Sequence, residues 1–339
     1  MDPLSQAVLG ATFSMLAVKR PSHLRAAALA GVIGGMLPDA DVLIRSDTDP
    51  LLFLSYHRHF THSLAFIPLG GLIAAALCWP ILRRQLGFLW ILLYATLGYA
   101  THGLLDACTN YGTHLAWPFS DTRVSWNVIS IIDPIYTITL LACVILAVRT
   151  RRRGIVVFAA VFALGYLGLG YIQRERADHA LEVLAKARGH AIEQREVKPS
   201  FANLIVWRAQ YRYQGTLYFE AFRAWKEVTH LEGESIAALP ESVQQSLPEG
   251  SVQRRDLERF AFFSDGWLAV LPDDPHVIAD MRFAMLPMSA APLWGIRIAP
   301  DNPGTHVEYV GLRRSRSDQI SQLWRLIIGQ NLENGSIVD

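Results

Sequence analysis

The chain has 339 residues, a formal net charge of +1 and a hydrophobic share of 51%. Its mean hydropathy of +0.23 is high for a soluble protein, and the near-neutral charge argues against a nucleic-acid binder. The three cysteines, Cys78, Cys108 and Cys143, form no C-x-x-C pair. The sequence therefore indicates neither a disulfide framework nor a thiolate zinc site.

Aspartate and glutamate are unevenly distributed along the chain. Residues 1–174 contain eight aspartates and no glutamate, whereas residues 175–339 contain all the glutamates and the remaining aspartates. This shift predicts two domains in different solvents. We expect a transmembrane helical domain over residues 1–174 and an extramembrane α+β domain over residues 175–339.

Several apolar segments of the first domain are long enough to cross a bilayer, which takes about 20 helical residues. A shorter segment, residues 4–18, follows a predicted N-cap at Asp2. Because it lacks a basic leader region, we expect it to be retained. The predicted fold class is an α-helical membrane bundle of about five to six transmembrane helices, followed by a small α+β soluble domain. The predicted spans are 26–44, 62–82, 86–107, 128–148 and 154–173.

The basic residues between these segments predict an orientation. Counted from the short segment, the connections after the first, third and fifth segments carry nine Lys and Arg residues, and those after the second and fourth carry three. Cytoplasmic loops carry the excess of basic residues. We therefore expect a multi-pass protein of the inner membrane whose even-numbered connections and second domain face outward.

The ionisable residues of the first domain lie mainly at the outer side of the predicted spans. Charged groups in a membrane segment are costly, so such residues are functional by default. GMLPDADVL ends the second segment, HRHFTHS starts the third, THGLLDACTNYGTH ends the fourth and SIIDPIYT starts the fifth. The residues at these positions are Asp39, Asp41, His57, Arg58, His59, His62, His102, Asp106 and Asp133.

The spacing of these residues predicts a shared metal site. His102 and Asp106 are four residues apart and therefore point from one helical face. Asp39 and Asp41 follow Pro38, where a helix end can turn both carboxylates toward one point. Mixed histidine and aspartate ligands suit zinc above all, or manganese or iron. An ion bound there would lower the pKa of a bound water, so that hydroxide forms near neutral pH.

Each motif also has a simpler interpretation. His102 and Asp106 alone could form a local hydrogen bond, and the Pro-Asp-x-Asp sequence could cap a helix. The histidine cluster could be a pH-responsive loop or a patch for anionic lipid headgroups, and His114 is expected to be an exposed loop residue. The convergence of three motifs at one depth favours the metal site. The predicted ligands are Asp39, Asp41, His57, His62, His102 and Asp106.

The same motifs, in the same order, resemble a known family. MDPLSQAVLGA, GMLPDADVL, HRHFTHSL, HGLLDACTNYGT with WPFS, and IIDPIYT are similar to motifs of the YbcI/DUF457 (YdjM-like) membrane-bound metal-dependent hydrolases, over about residues 1–150. In this chain His59 replaces an expected glycine, and it is either an additional ligand or a tolerated loop change. The resemblance implies a metal and catalytic set, supported by Thr109 and Asp133. This set is Asp39, Asp41, His57, Arg58, His62, His102 and Asp106.

The second domain is predicted to begin with an amphipathic helix and to continue with strands. Residues 206–213 alternate in the period-2 pattern of a half-buried antiparallel sheet. Helical stretches near 251–270 and 317–330 would cover one face of the sheet. The histidines of this domain are dispersed, so we assign it no chemistry. The predicted strands lie in NLIVWRAQYRY, GTLYFEAFRAW, VIADMRFAML, LWGIRIA and HVEYVGL.

Two functions from different classes fit these observations. The first is a membrane-bound hydrolase in which metal-activated water attacks an ester or phosphoester of a lipid or lipid-linked substrate. Its catalytic residues would be Asp41, with Asp39 as a neighbouring base, Arg58, which stabilises negative charge, and Asp106. The second is a non-enzymatic cation-binding membrane protein, either a transporter or a metal or pH sensor. A transporter is expected to hold its ligands near the bilayer midplane, whereas these residues gather at one edge, which favours the hydrolase.

Overall fold

The structure, a computed structural model, describes residues 1–312 and 316–330. Its packing divides the chain into two units. The first comprises Met1–Ile44, Tyr56–Ile172 and Phe201–Asn203, and the second comprises Arg45–Ser55, Gln173–Ser200 and the chain from Leu204 onward. Both units are built from separate stretches, whereas the sequence predicts two continuous domains that meet between residues 174 and 175. Residues 313–315 and 331–339 of the predicted second domain lie outside the described residues.

The N-terminal part of the chain is helical and apolar. Among the described residues, four helical stretches are long and apolar enough to cross a membrane, and the helix Pro134–Thr150 is apolar but shorter. These four stretches are Pro21–Leu43, Leu64–Leu82, Phe88–Ala107 and Arg153–Ala187. The α-helices in chain order are α1 (Pro3–Leu16), α2 (Leu24–Met36), α3 (Leu52–Tyr56), α4 (Ile67–Leu82), α5 (Phe88–Ala107), α6 (Pro134–Thr150) and α7 (Arg153–Ala187).

Two boundaries differ from the predicted ones. The predicted span 128–148 starts too early, because Asp133 caps α6 by accepting a hydrogen bond from the Tyr136 N–H at 3.1 Å. The predicted span 154–173 and the amphipathic helix after it form one continuous helix of 35 residues, α7. No proline interrupts α7, so the change from an apolar to a polar sequence does not break its backbone hydrogen bonding.

Small residues allow several helices of the first unit to approach closely, and many large apolar side chains point outward. A Cβ atom on Gly10 of α1 would overlap the carbonyl oxygen of Gly31 of α2, so these backbones approach closely. Such contacts between small residues are typical of membrane helices. The outward side chains include Leu69, Leu72 and Leu77 of α4 and Phe158, Val161 and Leu164 of α7.

The second unit contains two antiparallel sheets. One has the strand order β1-β2-β3-β4 with β5 paired to β3, and the other has the order β6-β7-β8-β9. The helices α8 (Glu241–Gln245), α9 (Val252–Phe263) and α10 (Arg316–Ile328) accompany them. The strands are β1 (Gln194–Pro199), β2 (Val206–Tyr213), β3 (Thr216–Ala224), β4 (Val228–Leu231), β5 (Ser235–Ala237), β6 (Leu268–Leu271), β7 (Asp274–Asp280), β8 (Trp294–Arg297) and β9 (Glu308–Gly311). The fold is therefore a group of membrane helices followed by an α+β domain.

The five predicted strand segments contain or overlap β2, β3, β7, β8 and β9, while β1, β4, β5 and β6 were not predicted. The predicted helix 251–270 is too long, because α9 ends at Phe263 and β6 follows. The half-buried pattern predicted for β2 is also wrong, since its first six residues are all buried. Arg208 is buried there because its guanidinium donates to three backbone carbonyls, those of Met281, Pro287 and Ser289, at 2.8–2.9 Å.

A segment from the middle of the membrane sequence belongs to the second unit. In Arg45–Ser55, Leu51 is fully buried in a hydrophobic cluster with Leu257 and Phe260. Two hydrogen bonds, of 2.7 and 2.5 Å, join the Arg259 guanidinium to the Asp49 carboxylate. The chain therefore leaves the first unit after Ile44, packs into the second, and returns at Tyr56.

Candidate metal centre

Four donor residues of the first unit meet at one point, and we call them the four-donor centre: Asp39, His62, His102 and Asp106. Asp39 lies on the 3-10 turn that follows α2, and His62 ends the 3-10 turn Phe60–His62. His102 and Asp106 lie on α5 at a spacing of four residues. One ligand atom of each residue lies within 4.8 Å of the others. Residues from three separate motifs therefore form one cluster.

The distances within the four-donor centre suit a tetrahedral ion. The Nε2 atoms of His62 and His102 are 2.9 Å apart. Asp39 Oδ1 lies 3.4 and 3.3 Å from these two atoms, and Asp106 Oδ2 lies 3.2 and 3.6 Å from them. A tetrahedral zinc ion with bonds of about 2.0–2.1 Å holds its donors about 3.3 Å apart. The five measured separations bracket that value.

Hydrogen bonds at the outer nitrogens fix both imidazole rings. His102 Nδ1 lies 2.5 Å from the Gly35 carbonyl oxygen, which can only accept, so Nδ1 carries the proton. His62 Nδ1 lies 3.3 Å from Asp41 Oδ2 and 3.0 Å from the Thr61 hydroxyl, which itself donates to that carboxylate. When both rings are neutral, the two Nε2 lone pairs therefore face each other. Facing lone pairs repel, and a cation between them removes the repulsion.

Asp106 supplies a second sign that the donor set fits a cation. Its side chain is fully buried, and the Met1 amino group and Gln6 Nε2, the latter at 2.9 Å, donate to Oδ1. Oδ2 makes no hydrogen bond with any residue in 1–312 or 316–330, although Arg58 Nε lies 3.4 Å away. A buried carboxylate oxygen without a donor is costly. This oxygen lies beside the two facing nitrogens, where a divalent ion would satisfy it.

Asp41 and His57 form a pair next to the four-donor centre. The His57 Nδ1 and Asp41 Oδ1 atoms are 2.9 Å apart, and the Arg58 N–H donates to Asp41 Oδ2 at 3.0 Å. Asp39 connects the pair to the centre, because Asp39, Asp41 and His57 also bring their donor atoms within 4.8 Å of one another. The six predicted ligands thus divide into four converging donors and an adjacent, mutually hydrogen-bonded pair.

Arg58 is held in a specific position by its loop. Its backbone φ of +65° lies in the left-handed region, which is uncommon for residues other than glycine. The side chain is buried, its Nη1 donates to Thr109 Oγ1 at 2.8 Å, and its guanidinium carbon lies 5.2 Å from the centre of the Tyr111 ring. This arrangement directs a fixed positive charge toward Asp106.

The two supporting residues of the family resemblance have different surroundings. Thr109 accepts the Arg58 hydrogen bond and donates to the Asp106 carbonyl oxygen at 2.7 Å. Asp133 is the N-cap of α6, and Tyr166 donates its hydroxyl to this carboxylate at 2.9–3.0 Å. Thr109 therefore positions the centre, and the contacts of Asp133 belong to the start of α6.

An apolar cavity lies beside Asp39 and His57. Its volume is about 660 Å³. The Asp39 side chain is 23% exposed and that of His57 is 36% exposed, whereas the other three donors of the centre are buried. The cavity is therefore the side from which a ligand can reach the polar groups. Its apolar lining consists of Met1, Pro3, Ile33, Met36, Leu37, Ala40 and Val42.

His59 and His114 form a separate group with Asp121, in which one ligand atom of each lies within 4.8 Å of the others. The prediction that His114 is exposed is wrong, because only 5% of the residue is accessible. Burial lowers the pKa of His114 to about 4, and the neighbouring His59 adds to this effect. The sequence carried one signal of this group, the histidine at position 59 where a glycine is expected.

Comparison with known proteins identifies a family for the first part of the chain. The profile of the YdjM inner membrane protein family matches residues 1–177, more than half of the chain. Inner membrane protein YbcI of Escherichia coli (strain K12) is 38% identical over 108 residues, which are 30% of this chain and 60% of YbcI. No solved structure was found to match. With its apolar helices and the matched motifs, the chain belongs to the YdjM inner membrane protein family.

Proposed function

We propose that this chain is a metal-dependent hydrolase of the inner membrane that acts on an ester or phosphoester of a lipid or lipid-linked substrate. The observation that carries the proposal is the pair of Nε2 atoms of His62 and His102, 2.9 Å apart, with two carboxylate oxygens around them. Such a donor set suits zinc, with manganese or iron as alternatives.

Four residues would hold the ion: Asp39, His62, His102 and Asp106. A divalent ion bound there lowers the pKa of a water ligand and polarises an ester or phosphoryl oxygen. Asp39 is the donor closest to solvent, so water and substrate would approach past its carboxylate. Asp106 is buried beneath the centre and contributes negative charge without contact with bulk water.

His57 and Asp41 suit the role of general base as a pair. If the His57 Nδ1–H donates to Asp41, the Nε2 atom keeps a lone pair that can accept a proton from the attacking water. Asp41 would hold the ring and stabilise the imidazolium that forms, as the carboxylate does in other aspartate–histidine pairs. The sequence predicts both residues as ligands, and their direct hydrogen bond favours the base role instead.

Arg58 suits the stabilisation of developing negative charge. Its guanidinium is buried, anchored by Thr109 and close to Asp106. A preorganised positive group in a site of low polarity lowers the energy of an anionic transition state more than it does in water. The catalytic residues of the proposal are therefore Asp41, Arg58 and Asp106, with His57 as the proton acceptor.

The apolar cavity supports a lipid substrate. Pockets for apolar ligands are lined by hydrophobic side chains with a few polar groups at one end, and this cavity has Asp39 and His57 as its polar residues. An acyl chain would occupy the apolar part, and the ester or phosphoester would lie at the polar residues. We further propose, from the basic-residue bias alone, that the site and the second domain face outward.

One observation favours the second candidate, a non-enzymatic cation-binding membrane protein. Catalytic zinc sites usually have three protein ligands and one water, whereas four protein ligands are usual in structural sites. The four-donor centre offers four. The hydrolase therefore requires that an entering water expand the coordination or replace a carboxylate, and Asp39 is the exposed one.

The test uses the full chain, purified in detergent. Elemental analysis by mass spectrometry compares the wild type with a His62→Ala/His102→Ala double variant, and with His179→Ala as an exposed-histidine control. Hydrolysis is then measured on long-chain and short-chain nitrophenyl esters and phosphodiesters, before and after chelation. We expect one bound ion of zinc, manganese or iron per chain that is lost only in the double variant, and metal-dependent hydrolysis that favours the long chains.

The other outcomes are equally informative. Bound metal without hydrolysis of any substrate would support the cation-binding protein instead. If the double variant keeps the same metal content as the wild type, or if neither binds metal after supplementation, the proposed centre is wrong.

A further inference from the structure

We propose that this chain carries a second site for a divalent transition metal, formed by His59, His114 and Asp121. We call it the loop site. It shares no ligand with the four-donor centre, and it does not depend on the proposed hydrolase activity.

The three side chains of the loop site come from two loops, His59 from the turn after α3 and the other two from the connection between α5 and α6. One ligand atom of each lies within 4.8 Å of the others, and the ring centres of His59 and His114 are 4.8 Å apart with their planes at 59°. An ion with bonds of about 2.0–2.2 Å joins donors that are up to about 4 Å apart. Small side-chain rotations therefore bring the three donors onto one ion.

The backbone already holds both histidines in place. The His59 N–H donates to the Tyr56 carbonyl at 3.2 Å, and the His114 N–H donates to the Arg58 carbonyl at 3.1 Å. The pairing of Thr113 with Val124 fixes the loop that carries His114. A site whose ligands are positioned before binding loses little conformational entropy when the ion arrives.

His114 is the observation that indicates a ligand. It is 95% buried, and neither ring nitrogen makes a close, well-aligned hydrogen bond with the residues that the structure describes, although the Asp121 backbone is near enough to interact with the ring. His59 Nδ1 is also buried, and it has no hydrogen-bond partner among the described residues. A neutral imidazole needs one donor partner and one acceptor partner when it is buried, and two rings that lack partners at the same place are best satisfied by a shared ion.

The charges and donor types at the loop site favour a transition metal such as zinc over calcium or magnesium. Asp121 contributes a single negative charge, and nearby Arg123, whose guanidinium donates to the Tyr111 carbonyl, contributes a positive one. Calcium and magnesium prefer several oxygen ligands, whereas two imidazoles and one carboxylate suit zinc and related ions. Three protein donors leave a fourth position for water or another small ligand.

Zinc binding to the full chain in detergent tests the loop site. After chelation, the zinc content and affinity are measured for the wild type, His114→Ala, His59→Gly, Asp121→Asn and the His179→Ala control. We expect His114→Ala and His59→Gly each to lose one zinc ion per chain. Asp121→Asn keeps both imidazoles and should weaken binding of that ion by about tenfold. His179→Ala should match the wild type.

The His62→Ala/His102→Ala background separates the two sites. There we expect one zinc ion to remain, and we expect it to disappear when His114→Ala is added. This readout does not require the four-donor centre to bind metal or to be catalytic. If His114→Ala proves unstable, His59→Gly, which restores a residue expected at this position, carries the same test. Unchanged zinc stoichiometry and affinity in both His59→Gly and Asp121→Asn would overturn the proposal.

Discussion

At the residue scale, the hydrogen bonds at the outer nitrogens decide what the two central histidines can do. Asp41 and the Gly35 carbonyl occupy the Nδ1 atoms of His62 and His102, and this leaves both Nε2 atoms as donors to an ion. Partners of this kind orient the metal-binding rings and raise their basicity. The two histidines are visible in the sequence as candidate metal-binding residues. The sequence does not reveal that Asp41 and the Gly35 carbonyl orient their rings.

We predict that Asp41→Asn weakens zinc binding at the four-donor centre by about 10–100-fold, as removal of such orienting carboxylates does elsewhere. The amide keeps the size of the side chain but removes the charge that orients His62 and His57. Competition titration of zinc against a chelator measures the change. Asp47→Asn, an exposed aspartate, is the control. An unchanged affinity in Asp41→Asn would show that His62 does not need this carboxylate.

A second prediction concerns pH and Lys198, which is buried in the second unit with its Nζ 2.9 Å from Glu196. Burial lowers the pKa of Lys198 from 10.5 to about 8. The unfolded chain therefore binds more protons than the folded one between these values, so the free energy of unfolding rises with pH across this window. Below about pH 8 the full penalty of the buried charge is present.

Thermal unfolding of the full chain in detergent, followed at several pH values, measures this effect. We expect the midpoint of the wild type to rise relative to that of Lys198→Met as the pH increases from about 8 to 10. Glu196 loses its contact with Lys198 in this variant at every pH, while Gln210 still donates to it, so that effect adds a nearly constant offset. A difference between the two proteins that does not vary with pH would contradict the lowered pKa.

Individual residues of the centre were predictable because ionisable side chains are rare in apolar segments. His102 and Asp106 share a helix face at four-residue spacing, so the sequence alone places them together. The separate roles of His57 and His62 were not predictable, because they depend on the positive φ of Arg58 and on the 3-10 turn after it. Local backbone geometry of this kind has no periodic signal in the sequence.

At the element scale, the packing of α5 against the turn that contains His62 determines how closely the donors of the four-donor centre approach one another. A Cβ atom on Gly103 would overlap the carbonyl oxygen of His62. The neighbouring residue, His102, supplies one of the two central nitrogens. The absence of a side chain at Gly103 therefore allows the close approach of His62 and His102, which belong to different elements.

We predict that Gly103→Ala lowers metal affinity at the four-donor centre by at least about tenfold, although it alters no ligand. Alanine favours a helix over glycine by about 1 kcal/mol, so the loss would come from displacement of α5. Gly165→Ala is the matched control, because, apart from its chain neighbours and the adjacent backbone of its own helix, no described atom lies within 4 Å of the Cβ it adds. Equal zinc affinity in the two variants would mean that the helix and the loop adjust to the added methyl group.

Elements with strong periodicity or clear caps were predicted best. Asp2 and Pro3 start α1 as their sequence indicates, and β2 and β3 follow their alternating segments. The strand β5 has only three residues, too few for a pattern to be recognised. Burial on both faces of β2 was not predicted, because an arginine in a strand usually faces solvent. Arg208 is buried because three backbone carbonyls accept hydrogen bonds from its guanidinium.

At the scale of the whole molecule, a short segment of the second unit is inserted within the sequence of the first. Arg45–Ser55 lies between Asp41 and His57 in sequence, and its residues Asp49 and Leu51 are held by the second unit. The sequence places this stretch within the membrane domain, because composition carries no information about a partner 210 positions away.

We predict that Arg259→Ala lowers the free energy of unfolding of the second unit by about 1–3 kcal/mol, because hydrogen bonds to charged groups contribute roughly that much when partly buried. The Arg259 and Asp49 side chains are 23% and 19% exposed. We also expect faster trypsin cleavage after Arg45 and weaker metal binding. Thermal unfolding, limited proteolysis and zinc titration measure these three effects.

Arg254→Ala is the control for this prediction, because Arg254 lies on the same helix and pairs with the exposed Glu258. Exposed ion pairs contribute little to stability, so this variant should behave like the wild type. If the two variants change proteolysis at Arg45 equally, the Asp49–Arg259 pair does not hold the segment.

The separation of Asp49 from its partner also has a consequence for synthesis of the protein. Ribosomes add about 5–20 residues per second, so about 10–40 s pass between the synthesis of Asp49 and that of Arg259, 210 positions later. The membrane unit up to Ile172 is made within that interval, while the segment between Asp41 and His57 still has no second unit to pack against. We therefore expect the nascent membrane helices to assemble first and the metal to be acquired late, after the C-terminal sheets have folded around this segment.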